Sequence, residues 1–146
     1  MHSICCVLIA LLLGSTPVGV YPNQKPPGQI AQLSGVKDSF YIKDTNGTIY
    51  LDAQDVLGAR VRWVKQQQCY AVELFFTADG REKFADATES VLSRSGSVEN
   101  RLCFMLDNTM IANPPVYAPI DSDSILITED FTLQEAQQLV DILSAP

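Results

Sequence analysis

Apolar and polar positions alternate along much of this chain, and the alternation is broken twice by stretches of helical spacing. Phe40 and Ile42 alternate with Tyr41 and Lys43, and Ile49-Tyr50-Leu51 forms a second β-prone run. Asn46-Gly47 lies between them and predicts a hairpin with a type I′ turn, which requires positive φ at both central positions. Asn46-Gly47-Thr48 is also a formal glycosylation sequon, but the turn requires those residues anyway. In Val56–Val64, Arg60 and Arg62 alternate with Val61 and Trp63, the pattern of a half-buried strand. After the polar turn Lys65–Gln68 comes the strongest strand signal, Cys69–Phe76. Tyr70, Val72, Leu74 and Phe76 form one of its faces, and Glu73 marks the other as partly wet.

At Thr77 the period changes. Phe84, Ala87, Thr88, Val91 and Leu92 recur at helical spacing opposite Arg81, Glu82, Asp86 and Glu89, so an amphipathic helix is expected over about Ala78–Ser93. Thr77 offers its N-cap, and Asp79 complements the dipole in the first turn. Leu102–Leu106 reads as a strand, and Asp107-Asn108 as a turn into Met110-Ile111. Val116–Ile120 and Ile125–Thr128 read as two short further strands. Thr132-Leu133-Gln134-Glu135 is a capping box, with Phe131 and Ala136 placed as a staple, and Leu133, Ala136, Leu139, Val140 and Leu143 form the buried stripe of the last helix. Strands, helix, strands, helix with tight turns predict an α+β fold: a mostly antiparallel sheet with two amphipathic helices packed on one face.

The beginning of the chain has a different pattern. Ile4–Leu13 is almost pure hydrocarbon, a length that suits a signal-peptide core and is short for a membrane span of about 20 residues. Residues 1–22 are therefore expected to be a signal peptide or an N-terminal anchor. They carry no Lys or Arg, so a cytosolic start with a short buried helix stands as the other reading. Residues 23–36, with Pro26-Pro27-Gly28 and no periodicity, read as a flexible spacer, and 37–146 as the folded domain. The expected location is secreted or extracytoplasmic, with any membrane attachment made through residues 4–20.

Composition narrows the function. Of the 146 residues 47% are hydrophobic, but all 17 acidic and all 10 basic residues lie at or after Lys25, so that part carries the whole net charge of −7. That balance argues against nucleic acid, whose binding needs clustered positive charge, and against anionic lipid surfaces. The one histidine is His2, so the folded part has neither a histidine-based nucleophile system nor a histidine zinc site. There is no glycine-rich phosphate loop, Cys-x-x-Cys motif or Gly-x-Ser-x-Gly elbow. Asp121, Asp123, Glu129 and Asp130 lack the spacing of an EF-hand and read as a solvated acidic turn. No catalytic residue, metal or cofactor is expected. With the leading segment removed, Cys69 and Cys103 remain. In an exported domain they suggest one disulfide, closing a loop of about 35 residues and contributing on the order of 4 kcal/mol. The alternative is two buried thiols, and the choice depends on whether their strands are neighbours.

Three motifs follow one another in register. The first is Phe76-Thr77, Gly80, Lys83-Phe84 and Thr88. The second is Leu106-Asp107, Pro114 and Pro119-Ile120. The third is Ile127-Thr128 with Phe131-Thr132-Leu133-Gln134-Glu135-Ala136, Leu139 and Leu143. Together they resemble the head part of the first large extracytoplasmic domain of the SecD/SecDF protein-export subunits. Asn108 and Glu129 stand where the family has glycine. The family couples an ion gradient to export through charged residues in the membrane, and its head contacts the emerging polypeptide. No transmembrane segment follows Pro146 in this sequence, so the resemblance does not carry over motor activity. It implies a non-catalytic module that binds a polypeptide or a cell-envelope protein. A small secreted ligand-binding protein or enzyme that reuses the fold is the alternative.

Overall fold

A computed structural model describes residues 36–93 and 100–145. The expected export signal at 1–22, and the spacer at 23–36 apart from Val36, lie outside the described residues. A 3-10 turn at Lys37–Ser39 leads into β1 (Phe40–Asp44) and β2 (Ile49–Asp52). A second 3-10 turn at Ala53–Asp55 precedes β3 (Val56–Val64) and β4 (Cys69–Phe76). Then follow α1 (Ala78–Leu92), β5 (Leu102–Leu106), β6 (Thr109–Ala112), β7 (Ser124–Phe131) and α2 (Leu133–Leu143).

The α+β class holds, with every named strand pair antiparallel. The strands divide between two sheets, however, in the orders β2-β1-β5-β6 and β3-β4-β7. Alternation fixes which side chains point inward, but it says nothing about which strands become neighbours. α1 touches both sheets. Its Phe84 stacks on Phe76 of β4 at 5.0 Å and meets Phe104 of β5 at 6.3 Å, so these rings carry one core from sheet to sheet. All three are buried, and each such side chain contributes about 1.5–3 kcal/mol. On the inner face of the three-stranded sheet, α2 packs with Ala136, Leu139, Val140 and Leu143 buried.

Both helix starts follow the sequence. Thr77 Oγ1 accepts from the Gly80 amide at 2.9 Å. Thr132 and Glu135 close the capping box, each side chain accepting the other's amide at 3.0 Å. Thr88, at the end of the first motif, is fully buried. Its hydroxyl donates to the Ala85 carbonyl and accepts from the Ile120 amide at 3.0 Å, tying α1 to the segment before β7.

Three local expectations change. Leu133, expected in the buried stripe of α2, is 50% exposed. The β1–β2 turn has positive φ at Gly47 alone, because the buried Asp44 carboxylate accepts the Asn46 and Thr48 amides and sets the turn itself. The true two-residue turn with both central φ positive is Asp107-Asn108, at 54° and 64°, between paired Leu106 and Thr109. Val116–Ile120 does not form a strand. Pro115 makes only an isolated bridge to Arg101, and Pro114, Pro115 and Pro119 offer no ladder donors. Val116 and Ile120 are buried nonetheless, so their apolar character reflects packing alone.

Candidate functional site

The four-residue turn between β3 and β4 sets Val64 opposite Cys69, and from there Arg60 falls opposite Glu73 and Arg62 opposite Ala71. Side chains alternate across a strand, so Arg60, Arg62 and Glu73 share the outer face, away from α2. Glu73 Oε1 accepts from Arg60 at 2.8 Å and from Arg62 at 2.7 Å, and Oε2 accepts from the Ser124 hydroxyl at 3.0 Å. Burial pushes the Glu73 carboxyl up, but the bonds from Arg60, Arg62 and Ser124 outweigh it and hold the group below the usual carboxylate range. The Arg60 guanidinium also lies over the Phe75 ring at 5.4 Å. Two cations against one carboxylate leave this patch locally positive in an acidic chain, and both arginine side chains stay substantially exposed.

Among the described residues β3 is paired on one side only. Near its start, Lys37 Nζ donates to the Val56 carbonyl at 2.9 Å. At Ala59 the Ser144 hydroxyl, just past α2, accepts the amide and donates to the carbonyl, both at 3.1 Å. Amide and carbonyl of one strand residue point to the same side, and every second residue repeats that direction. Val61 and Trp63 therefore aim their backbone groups outward as Ala59 does. Among the described residues nothing meets them there. Trp63 is 51% exposed, with its ring edge against Tyr70 at 4.9 Å, and Leu57, at the bulge of β3, is 65% exposed. An unpaired strand edge flanked by apolar rings and a basic face is the site this domain presents.

The residues singled out from the sequence fall elsewhere. Cys69 lies on β4 and Cys103 on β5, in different sheets, and no disulfide joins them among the described residues. The Cys69 sulfur is hydrogen-bonded to Gln67 at 3.8 Å and that of Cys103 to Asn113 at 3.6 Å. Asp121 and Asp123 do not share a site with Glu129 and Asp130. They hold Arg81 of α1, at 2.7 and 2.9 Å, whereas Glu129 is buried and Asp130 occupies a bulge at φ 54°. Among the described residues no group of three or more His, Cys, Asp or Glu is placed to hold a metal. No described helix is long and apolar enough to cross a membrane. The Arg60–Arg62–Glu73 cluster was within reach of sequence reasoning, since a four-residue turn fixes the register that brings those side chains together.

Residues 30–146 match the family described as SecDF, P1 head subdomain. This chain belongs to that family. Similar proteins include the protein translocase subunit SecD of Dictyoglomus turgidum, 29% identical over 124 residues, and that of Streptomyces coelicolor, 33% identical over 75. The matches cover 85% and 51% of this chain but only 29% and 13% of those subunits. A SecDF structure in a super-membrane-facing form superposes with a TM-score of 0.56 at 24% identity, which speaks to fold alone. The match covers 67% of this chain and 12% of that one. A second, of the membrane component SecDF that enhances protein export, gives a TM-score of 0.55 at 26% identity, covering 67% and 41%. The first and third motifs have a clear structural meaning. Gly80 lets α1 approach the turn at Asp55, Phe84 bridges the sheets, and Thr132 caps α2.

Proposed function

We propose that this head domain is a non-catalytic, extracytoplasmic module that holds extended polypeptide during protein export by adding it as a strand to the edge of β3. The observation that carries this reading is the open Val61–Trp63 edge beside an exposed Trp63 ring. Edge strands with free backbone groups accept an extended chain through main-chain hydrogen bonds, which depend little on sequence and so suit a varied clientele. Membership in the head-subdomain family supports the setting, because relatives are translocase subunits. Residues 1–22 would direct the chain out of the cytoplasm or hold it at the membrane. The domain itself supplies a contact surface, and ion coupling belongs to other parts of a translocase.

The test is a binding assay with Trp63 fluorescence as the readout. A permanently unfolded polypeptide should shift and protect the Trp63 emission, and Val61→Pro should abolish the effect. Proline removes only an outward-facing amide, so the β3–β4 ladder keeps its bonds. Circular dichroism confirms that the variant is folded. Full binding by folded Val61→Pro would overturn the assignment to the edge.

A further inference from the structure

We infer that the β3 edge selects extended segments in which acidic and apolar residues alternate. This inference rests on the strand-addition reading above and specifies its substrate class. Successive side chains of an added strand point to opposite faces of the sheet. On the outer face they lie beside Arg60 and Arg62, and on the inner face beside Val61 and Trp63. The outer positions favour carboxylates. Arg60 and Arg62 share the single Glu73 carboxylate, their side chains are 61% and 44% exposed, and the exposed Lys65 continues the basic run past the end of β3. From Val56 to Lys65 the edge carries no acidic residue at all. The inner positions favour apolar side chains, because they extend the surface of Trp63 and Tyr70.

Self-pairing of two copies centred on Val61 is disfavoured. Antiparallel pairing of β3 with itself about Val61 would set Arg60 opposite Arg62 on one face, and like charges directly opposite are destabilising. The overall charge of −7 opposes an acidic ligand at long range, but physiological salt screens that field beyond about 8 Å. Contacts with the two arginines act within that distance.

Three peptides of the same length as β3 test the inference on the full chain, with Val alternating with Glu, Ser or Lys. The Val/Glu peptide should bind about fivefold tighter than Val/Ser, with Val/Lys the weakest, from two favourable cross-strand charge pairs. The Val/Glu advantage should shrink in high salt. In Arg60→Gln/Arg62→Gln protein that retains its folded circular dichroism, the order Glu > Ser > Lys should collapse. Equal affinity for all three peptides would overturn charge selection and leave strand addition standing. Failure of all three to bind would instead remove the strand-addition reading itself.

Discussion

Gly80 in the first turn of α1 lies directly against the carbonyl of Asp55, leaving no room for a Cβ between them. The same carbonyl accepts the Thr77 amide at 2.9 Å, so the N-terminus of the helix is seated on the 3-10 turn before β3. Asp55 adds a second fastening by taking the Lys83 ammonium at 3.0 Å and the Asp52 amide at 3.1 Å. A glycine that costs a helix about 1 kcal/mol is required here by closeness.

Gly80→Ala should therefore destabilise the domain by about 2 kcal/mol, despite the better helix propensity of alanine, because the atom in the way is backbone and cannot swing aside. Urea unfolding followed by circular dichroism measures it. A midpoint at or above that of the parent protein would show that α1 can shift away from Asp55.

Glu73 couples stability to acid. Its folded carboxyl titrates below the ordinary value of 4.5, so the contribution is fully present above that value and is lost as pH falls through the folded one. Glu73→Gln should cost about 1.5–3 kcal/mol at pH 7, the scale of a hydrogen bond to a charged group. The difference between the two proteins should narrow as the pH drops below about 4. A gap that stays constant with pH would mean that Glu73 acts through packing alone.

Phe84→Ala removes the ring between Phe76 and Phe104 and should cost about 3–5 kcal/mol. Because the ring spans both sheets, thermal unfolding should stay a single transition at a lower midpoint. Two separate transitions would show that each sheet holds a core of its own.

Asn108 stands at φ 64°, where asparagine is tolerated and β-branched residues are not. Asn108→Gly should leave stability unchanged or slightly higher, and Asn108→Val should lower it by about 1–2 kcal/mol. Thermal midpoints of the two variants check the sign. Equal midpoints would mean that the β5–β6 turn adopts another form.

Local features were legible in the sequence because each is decided within a few residues. The caps at Thr77 and Thr132 and the strands from Phe40, Cys69 and Leu102 all depend on near neighbours. The division into two sheets was not, because Phe84 could cover any apolar face and only its ring contacts decide which strands lie beneath it. The cysteines show the same limit. Cys69 and Cys103 both lie in buried strands as expected, but their distance apart depends on the sheet each strand joined. At Val116 and Ile120, hydrophobicity reflects packing and not pairing, and three prolines leave no ladder there. The candidate site lay between these cases. Its charged cluster follows from a short turn, whereas the open edge required knowledge of where α2 ends.

The Ser144 hydroxyl has a consequence for the geometry of capture. By engaging both backbone groups of Ala59, it acts as an end-stop on β3. On the strand-addition proposal, a chain zipping along the edge from the Trp63 end would find the backbone groups of Trp63 and Val61 and then be halted. Such a grip would span only a handful of main-chain bonds. The residue that caps α2 would then set the length of each hold and keep it short and readily released.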